Sequence, residues 1–112
     1  MANKERGEIA VEFDGESINL ILSTNAICEL EDAADCSITD ILDKVGEKDK
    51  RARFKFVRWL FWAMMLDARP NATVADAGKL IDSLRGKHDQ VMVAAIIAAF
   101  PEANAGGDAP GK

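Results

Sequence analysis

Few side chains in this sequence have types and spacings that could do chemistry. Cys28 and Cys36 are the only cysteines. Two thiols with no second ligand pair give neither a disulfide framework nor a zinc site, so both are expected to be reduced and partly buried. His88 is the only histidine, which rules out a histidine pair holding a metal. Set between Lys87 and Asp89 just before a helical pattern, it reads as a plain exposed residue. Glu29, Glu31 and Asp32 crowd one helix surface, without the apolar pocket that a raised carboxyl pKa needs. No Gly-rich phosphate loop, nucleophile elbow or Walker pattern is present, and Gly106-Gly107 lies in the C-terminal tail. The sequence therefore predicts no catalytic residue, no cofactor and no metal. It predicts a non-enzymatic protein that works by binding other proteins.

The charge distribution points the same way. The net charge is −5 over 112 residues, but residues 1–47 hold twelve acids against three bases. Residues 48–58 hold six bases and one acid. Such asymmetry suits docking between an acidic and a basic surface. A nucleic-acid-binding regulator is the reading that residues 48–58 alone would suggest. Against it stand the acidic overall charge, Phe54 and Phe56 on opposed helix faces, and the lack of any recognition motif. Lys and Arg at the start of a helix also oppose its dipole, so another gain, such as an intermolecular ion pair, is needed there.

The elements that must position these groups are legible from patterning. Residues 8–22 read as a β-hairpin: Ile9, Val11 and Phe13 alternate with polar or small residues, as do Ile18, Leu20 and Leu22 after Asp14-Gly15. Asp-Gly suits a two-residue type I′ turn, in which both positions need positive φ. That loop sets Phe13 opposite Glu16, Val11 opposite Ile18 and Ile9 opposite Leu20, so the apolar sets share one face. A lone hairpin is unstable in water and must lie on helices or on another chain. Ser23, Thr24 and Asn25 are cap residues for a helix to about Ala34, with Ile27, Leu30 and Ala34 inward and Glu29, Asp32 and Asp35 outward. Ser37 caps a short helix, Ile38 to Val45, with Ile38, Ile41, Leu42 and Val45 inward, ended by Gly46. Glu47 to Lys50 is a charged linker. Thr73, with Asp76 in a near-capping-box position, opens a helix from Val74 to Leu84 whose apolar side is Val74, Ala77, Leu80, Ile81 and Leu84. A last helix runs from about Asp89 to Phe100, and Pro101 closes it. The class is α+β, a hairpin followed by about five helices and mainly helical. The organisation expected is an N-terminal arm (1–7), one domain (8–100) and a disordered tail (101–112).

The longest helix, residues 50–68, is the unusual one. Helical placement separates two apolar faces. One holds Phe54, Val57, Phe61, Met64, Met65 and Ala68; the other holds Phe56, Trp59, Trp62, Ala63 and Leu66. Lys55, Arg58 and Arg69, with Arg51, fall in a gap between them. A helix apolar on both sides must be covered on both sides. Either it is central to its own domain, or the second face meets another subunit or a client helix. Trp, Met and Arg are enriched at interface cores. The candidate partner-binding residues are therefore Phe56, Trp59, Trp62 and Leu66, rimmed by Arg51, Lys55 and Arg58.

The opening Gly7–Gly15, the stretch Leu22–Asp32, the segment Ala75–Asp82 and the Ala-rich helix ending Ala98-Ala99-Phe100 together resemble a small family. It is encoded in the tail-gene clusters of gene transfer agents and related prophages, and is labelled both as tail tube protein and as tail assembly chaperone. The likeness covers about residues 5–100, and Thr24–Asp32 is its most specific part. It implies no catalytic residues. It implies a tail assembly chaperone that coats the tape-measure protein until the tube polymerises, forms homo-oligomers, and is absent from the finished particle. The alternative is a structural tail component, a tube or connector subunit. One hairpin offers little sheet for a tube ring, which favours the chaperone. No signal peptide opens the chain, and its apolar runs (Trp59–Leu66, Val91–Phe100) are too short to span a bilayer. The protein is thus expected in the host cytoplasm, with tail proteins as partners and no membrane partner.

Overall fold

The computed structural model describes residues 7–46 and 50–100. The expected arm (apart from Gly7), residues 47–49 of the charged linker and the C-terminal tail lie outside the described residues. Two strands, β1 (Ile9–Phe13) and β2 (Glu16–Leu20), precede five helices. These are α1 (Thr24–Ala34), α2 (Ile38–Val45), α3 (Lys50–Met65), α4 (Val74–Ser83) and α5 (His88–Ala99).

The strands pair antiparallel with Phe13 opposite Glu16, Val11 opposite Ile18 and Ile9 opposite Leu20, the register that the Asp-Gly turn dictates. Asp14 and Gly15 have φ of 54° and 77°, both in the left-handed region a type I′ turn requires. Val11, Phe13, Ile18 and Leu20 are buried, so the sheet's apolar face lies on the helices of its own chain. The Ile21 amide donates to the Met64 carbonyl at 3.1 Å, which fixes the hairpin's exit to the end of α3. Arg69 bonds Glu16 and lies with its guanidinium 5.3 Å from the centroid of the Phe13 ring.

Local capping sets the helix starts. The Ser23 side chain accepts from the Ala26 amide and donates to Asp67 at 3.1 Å. Ser37 accepts from the Asp40 amide. Thr73 and Asp76 form a reciprocal capping box. Glu31 adds a longer link by accepting from the Ile38 amide at 2.8 Å, tying α1 to the start of α2. Ile41 and Val45 on α2, and Ala77, Leu80 and Ile81 on α4, are buried as their spacing predicts.

α3 is the axis of the core. Val57, Leu60, Phe61, Ala63, Met64 and Met65 are all fully enclosed, with α1, α2, α4, α5 and β2 packed around them. The helix ends at Met65, three residues before the expected limit. Leu66 and Ala68 donate to carbonyls three residues back, and Arg69 donates to Met65 at 2.7 Å, so the last turn tightens and stops. Pro70 disfavours helical backbone at Arg69, so the chain cannot resume the helix past this tightened turn.

Several placements differ from expectation. Phe54, expected on the inner face, is 46% exposed near the start of α3, beyond the stretch the other elements enclose. Ala68, past the helix end, is exposed, whereas Ala63 is enclosed rather than outward. Cys28 is exposed rather than partly buried, because it points away from the Ala26 and Leu30 stripe of α1; Cys36 is half-buried, and both are free thiols. His88 is not a plain exposed residue. It opens α5 with a side chain only 14% exposed, its ring 5.7 Å from that of Phe54.

Candidate partner-binding face

At about 100° per residue, the enclosed residues of α3 span an arc of about 200°. Across the remaining arc lie, in angular order, Arg58, Trp62, Lys55, Leu66 and Trp59. Trp59, Trp62 and Leu66 are half-buried, and Lys55 and Arg58 are exposed. Phe56 falls at the edge of the inner arc beside Ala63 and is half-buried. Arg51 lies within α3, but its side chain is outside the described residues. The structure thus brings Trp59, Trp62, Lys55 and Arg58 onto one side of α3, with Leu66 in the turn directly after it. Arg58 falls between the enclosed arc and Trp62, in the expected gap between the two apolar faces, whereas Lys55 lies between Trp62 and Leu66 rather than in that gap.

The two indoles meet edge to face, with centroids 5.5 Å apart and planes at 82°. Such pairs add stability beyond area burial. The Trp62 Nε1–H donates to the Ala72 carbonyl at 2.9 Å, in the loop leading to α4. That bond satisfies the one polar atom of the indole and fixes its orientation. Trp62 is therefore anchored, while no hydrogen bond of the Trp59 indole is seen among the described residues. Beside Trp62, a recess of about 290 Å³ is lined by Asn25, Ala26, Glu29, Leu66, Asp67 and Pro70. On the other flank, Arg58 borders α4, where its Cδ would lie 3.6 Å from a Cβ placed on Gly78.

Such a surface can do little chemistry. It can bind: rigid aromatic edges supply contact area at low entropy cost, and the bases beside them supply salt-sensitive orientation. Lys55 and Arg58 form no ion pair among the described residues. The first turn of α3 has no acid to balance its basic residues.

Sequence patterning missed two other exposed apolar sites. Val93 and Ile97, one turn apart on α5, are 48% and 46% exposed. The signal was present, because residues 91–100 carry no charge on any face. The second is the groove beside Phe54, which no spacing rule reveals because Gly78 and Ile81 come from a different helix. Among the described residues, no helix is long and apolar enough to cross a membrane.

Residues 6–102 match the model of the family described as phage tail tube protein, GTA-gp10, and the chain belongs to that family. Comparisons with curated proteins and with solved structures returned no match. The resemblance read from residues 5–100 and the family match cover nearly the same stretch.

Proposed function

We propose that this member of the phage tail tube protein family acts in tail morphogenesis as an assembly chaperone. In this reading it is not an enzyme, and it holds the tape-measure protein in the host cytoplasm until the tube forms. The observation that carries the proposal is the outer arc of α3. Trp59, Trp62 and Leu66 keep part of their apolar surface in water, with Lys55 and Arg58 beside them. Burying a large apolar side chain is worth about 1.5–3 kcal/mol, so a client helix that covers this arc gains binding energy. The charged rim makes such binding reversible and responsive to salt.

A second reading, a tube or connector subunit, draws on the family description. It also draws on the hairpin, which is the whole two-stranded sheet among the described residues and leaves each strand one outer edge. Two strands are few for a ring wall, where sheets usually have more strands to pair and close. The two readings separate cleanly by experiment. Co-expression should keep the tape-measure protein soluble, and Trp59→Glu should abolish that rescue while the variant itself stays folded. Mass spectrometry of purified particles should find the chain absent. Many copies per particle, with no effect on tape-measure solubility, would establish the structural reading instead.

A further inference from the structure

Between the first half of α3 and the middle of α4 lies a groove of about 460 Å³, lined by Phe54, Lys55, Arg58, Gly78, Ile81 and Asp82. Gly78 sits inside α4 with backbone that any residue could adopt. Glycine inside a helix is destabilising relative to alanine. The chain's own packing does not demand it: a Cβ there would meet only the Arg58 Cδ, at 3.6 Å, an ordinary contact. The missing methyl instead lowers the groove floor, so that another backbone can come close.

The walls select a partner. Phe54 and Ile81 are apolar, and Phe54 is 46% exposed. Lys55 and Arg58 outnumber the one acid of the lining, Asp82, and have no ion pair among the described residues. We propose that this groove docks an acidic amphipathic helix of another polypeptide. An apolar side chain sits over Gly78 between Phe54 and Ile81, and carboxylates meet Lys55 and Arg58. The inference rests on the client-binding reading and names the chemistry of the client. A second copy of this chain fits less well. Its acids on α1 and α2 (Glu29, Asp32, Asp40 and Asp43) have no exposed large apolar residue on those helices to serve as the anchor. Nucleic acid fits less well because an acid and an apolar floor line the groove.

The test titrates the full chain with a labelled helical peptide of about 18 residues built from Leu, Ala and Glu, with leucines along one face. Binding read by anisotropy should weaken about tenfold between low salt and about 0.5 M salt. It should also weaken about tenfold in Gly78→Leu and in Lys55→Glu with Arg58→Glu. Gly78→Ala should raise the Tm yet lower the affinity, a pairing that a purely structural glycine would not give. Equal binding by Gly78→Leu, or by a peptide with Lys in place of Glu, overturns the proposal. Displacement of the peptide by duplex DNA, or self-association that Gly78→Leu abolishes, overturns it in favour of those occupants. Peptide binding without rescue of the tape-measure protein supports the groove and removes the chaperone reading. Rescue by a variant that binds no peptide supports the chaperone reading and overturns the groove.

Discussion

The inner and outer arcs of α3 are both apolar in sequence, yet they meet different surroundings. Val57, Leu60, Phe61, Met64 and Met65 are enclosed from every side, whereas Trp59, Trp62 and Leu66, one or two positions away, are half-covered. Residue type did not decide this, since tryptophan is at least as apolar in bulk as methionine. The supply of covering elements did. The hairpin and four other helices pack chiefly on the inner arc, while Trp62 is flanked by the loop before α4 and the start of α1. In so small a chain, apolar surface beyond what the core can enclose is surface available to another polypeptide.

The contrast can be broken most forcefully at Phe61. Phe61→Ala should cost about 3–5 kcal/mol in urea unfolding, enough to threaten a fold of ordinary stability. Trp59→Ala should cost clearly less, about 1–2 kcal/mol, since Trp59 packs against the core over only part of its surface. Equal losses would make the outer arc a second core and remove it as a docking face. A finer cut divides the two tryptophans. Trp62→Phe keeps a ring but strips the Ala72 carbonyl of its donor, and should cost about 1 kcal/mol; Trp59→Phe, with no such bond to lose, should cost less.

How far the two arcs could be read beforehand follows from the same physics. The hairpin register, the Ser23, Ser37 and Thr73 caps and the stripes of α2 and α4 were legible because each rests on residues near in sequence. The apolar excess of α3 was legible for the same reason. Which parts of it are covered was not, because that depends on elements arriving from elsewhere. Phe54 looked inward by spacing, but it sits at the end of α3 that the core does not enclose. His88 looked like surface, but α5 brings it against Phe54. The groove floor at Gly78 could not be seen without α3 and α4 side by side.

Smaller effects sharpen the electrostatic half of the contrast. Arg69, which bonds Glu16 and lies over Phe13, should lose about 0.5–1 kcal/mol as Arg69→Gln, the range of a partly exposed ion pair with a ring contact. Lys55→Glu with Arg58→Glu should change stability by no more than about 0.5 kcal/mol, because neither base is built into the fold. The same double variant should nonetheless lose most of its hold on the tape-measure protein in a pull-down at low salt. A stability loss comparable to that of Arg69→Gln would mean that these bases serve the fold rather than a partner.

Trp59 and Trp62 are the two tryptophans of the chain, so 5-fluorotryptophan labelling gives two fluorine resonances that report the outer arc directly. The difference in each shift between light and heavy water measures solvent contact. With the chain alone, the Trp59 resonance should show a clear solvent shift, and that shift should collapse when the tape-measure protein is bound. An undiminished shift in a complex whose mass proves that both proteins are present would contradict the claim that this face receives the partner.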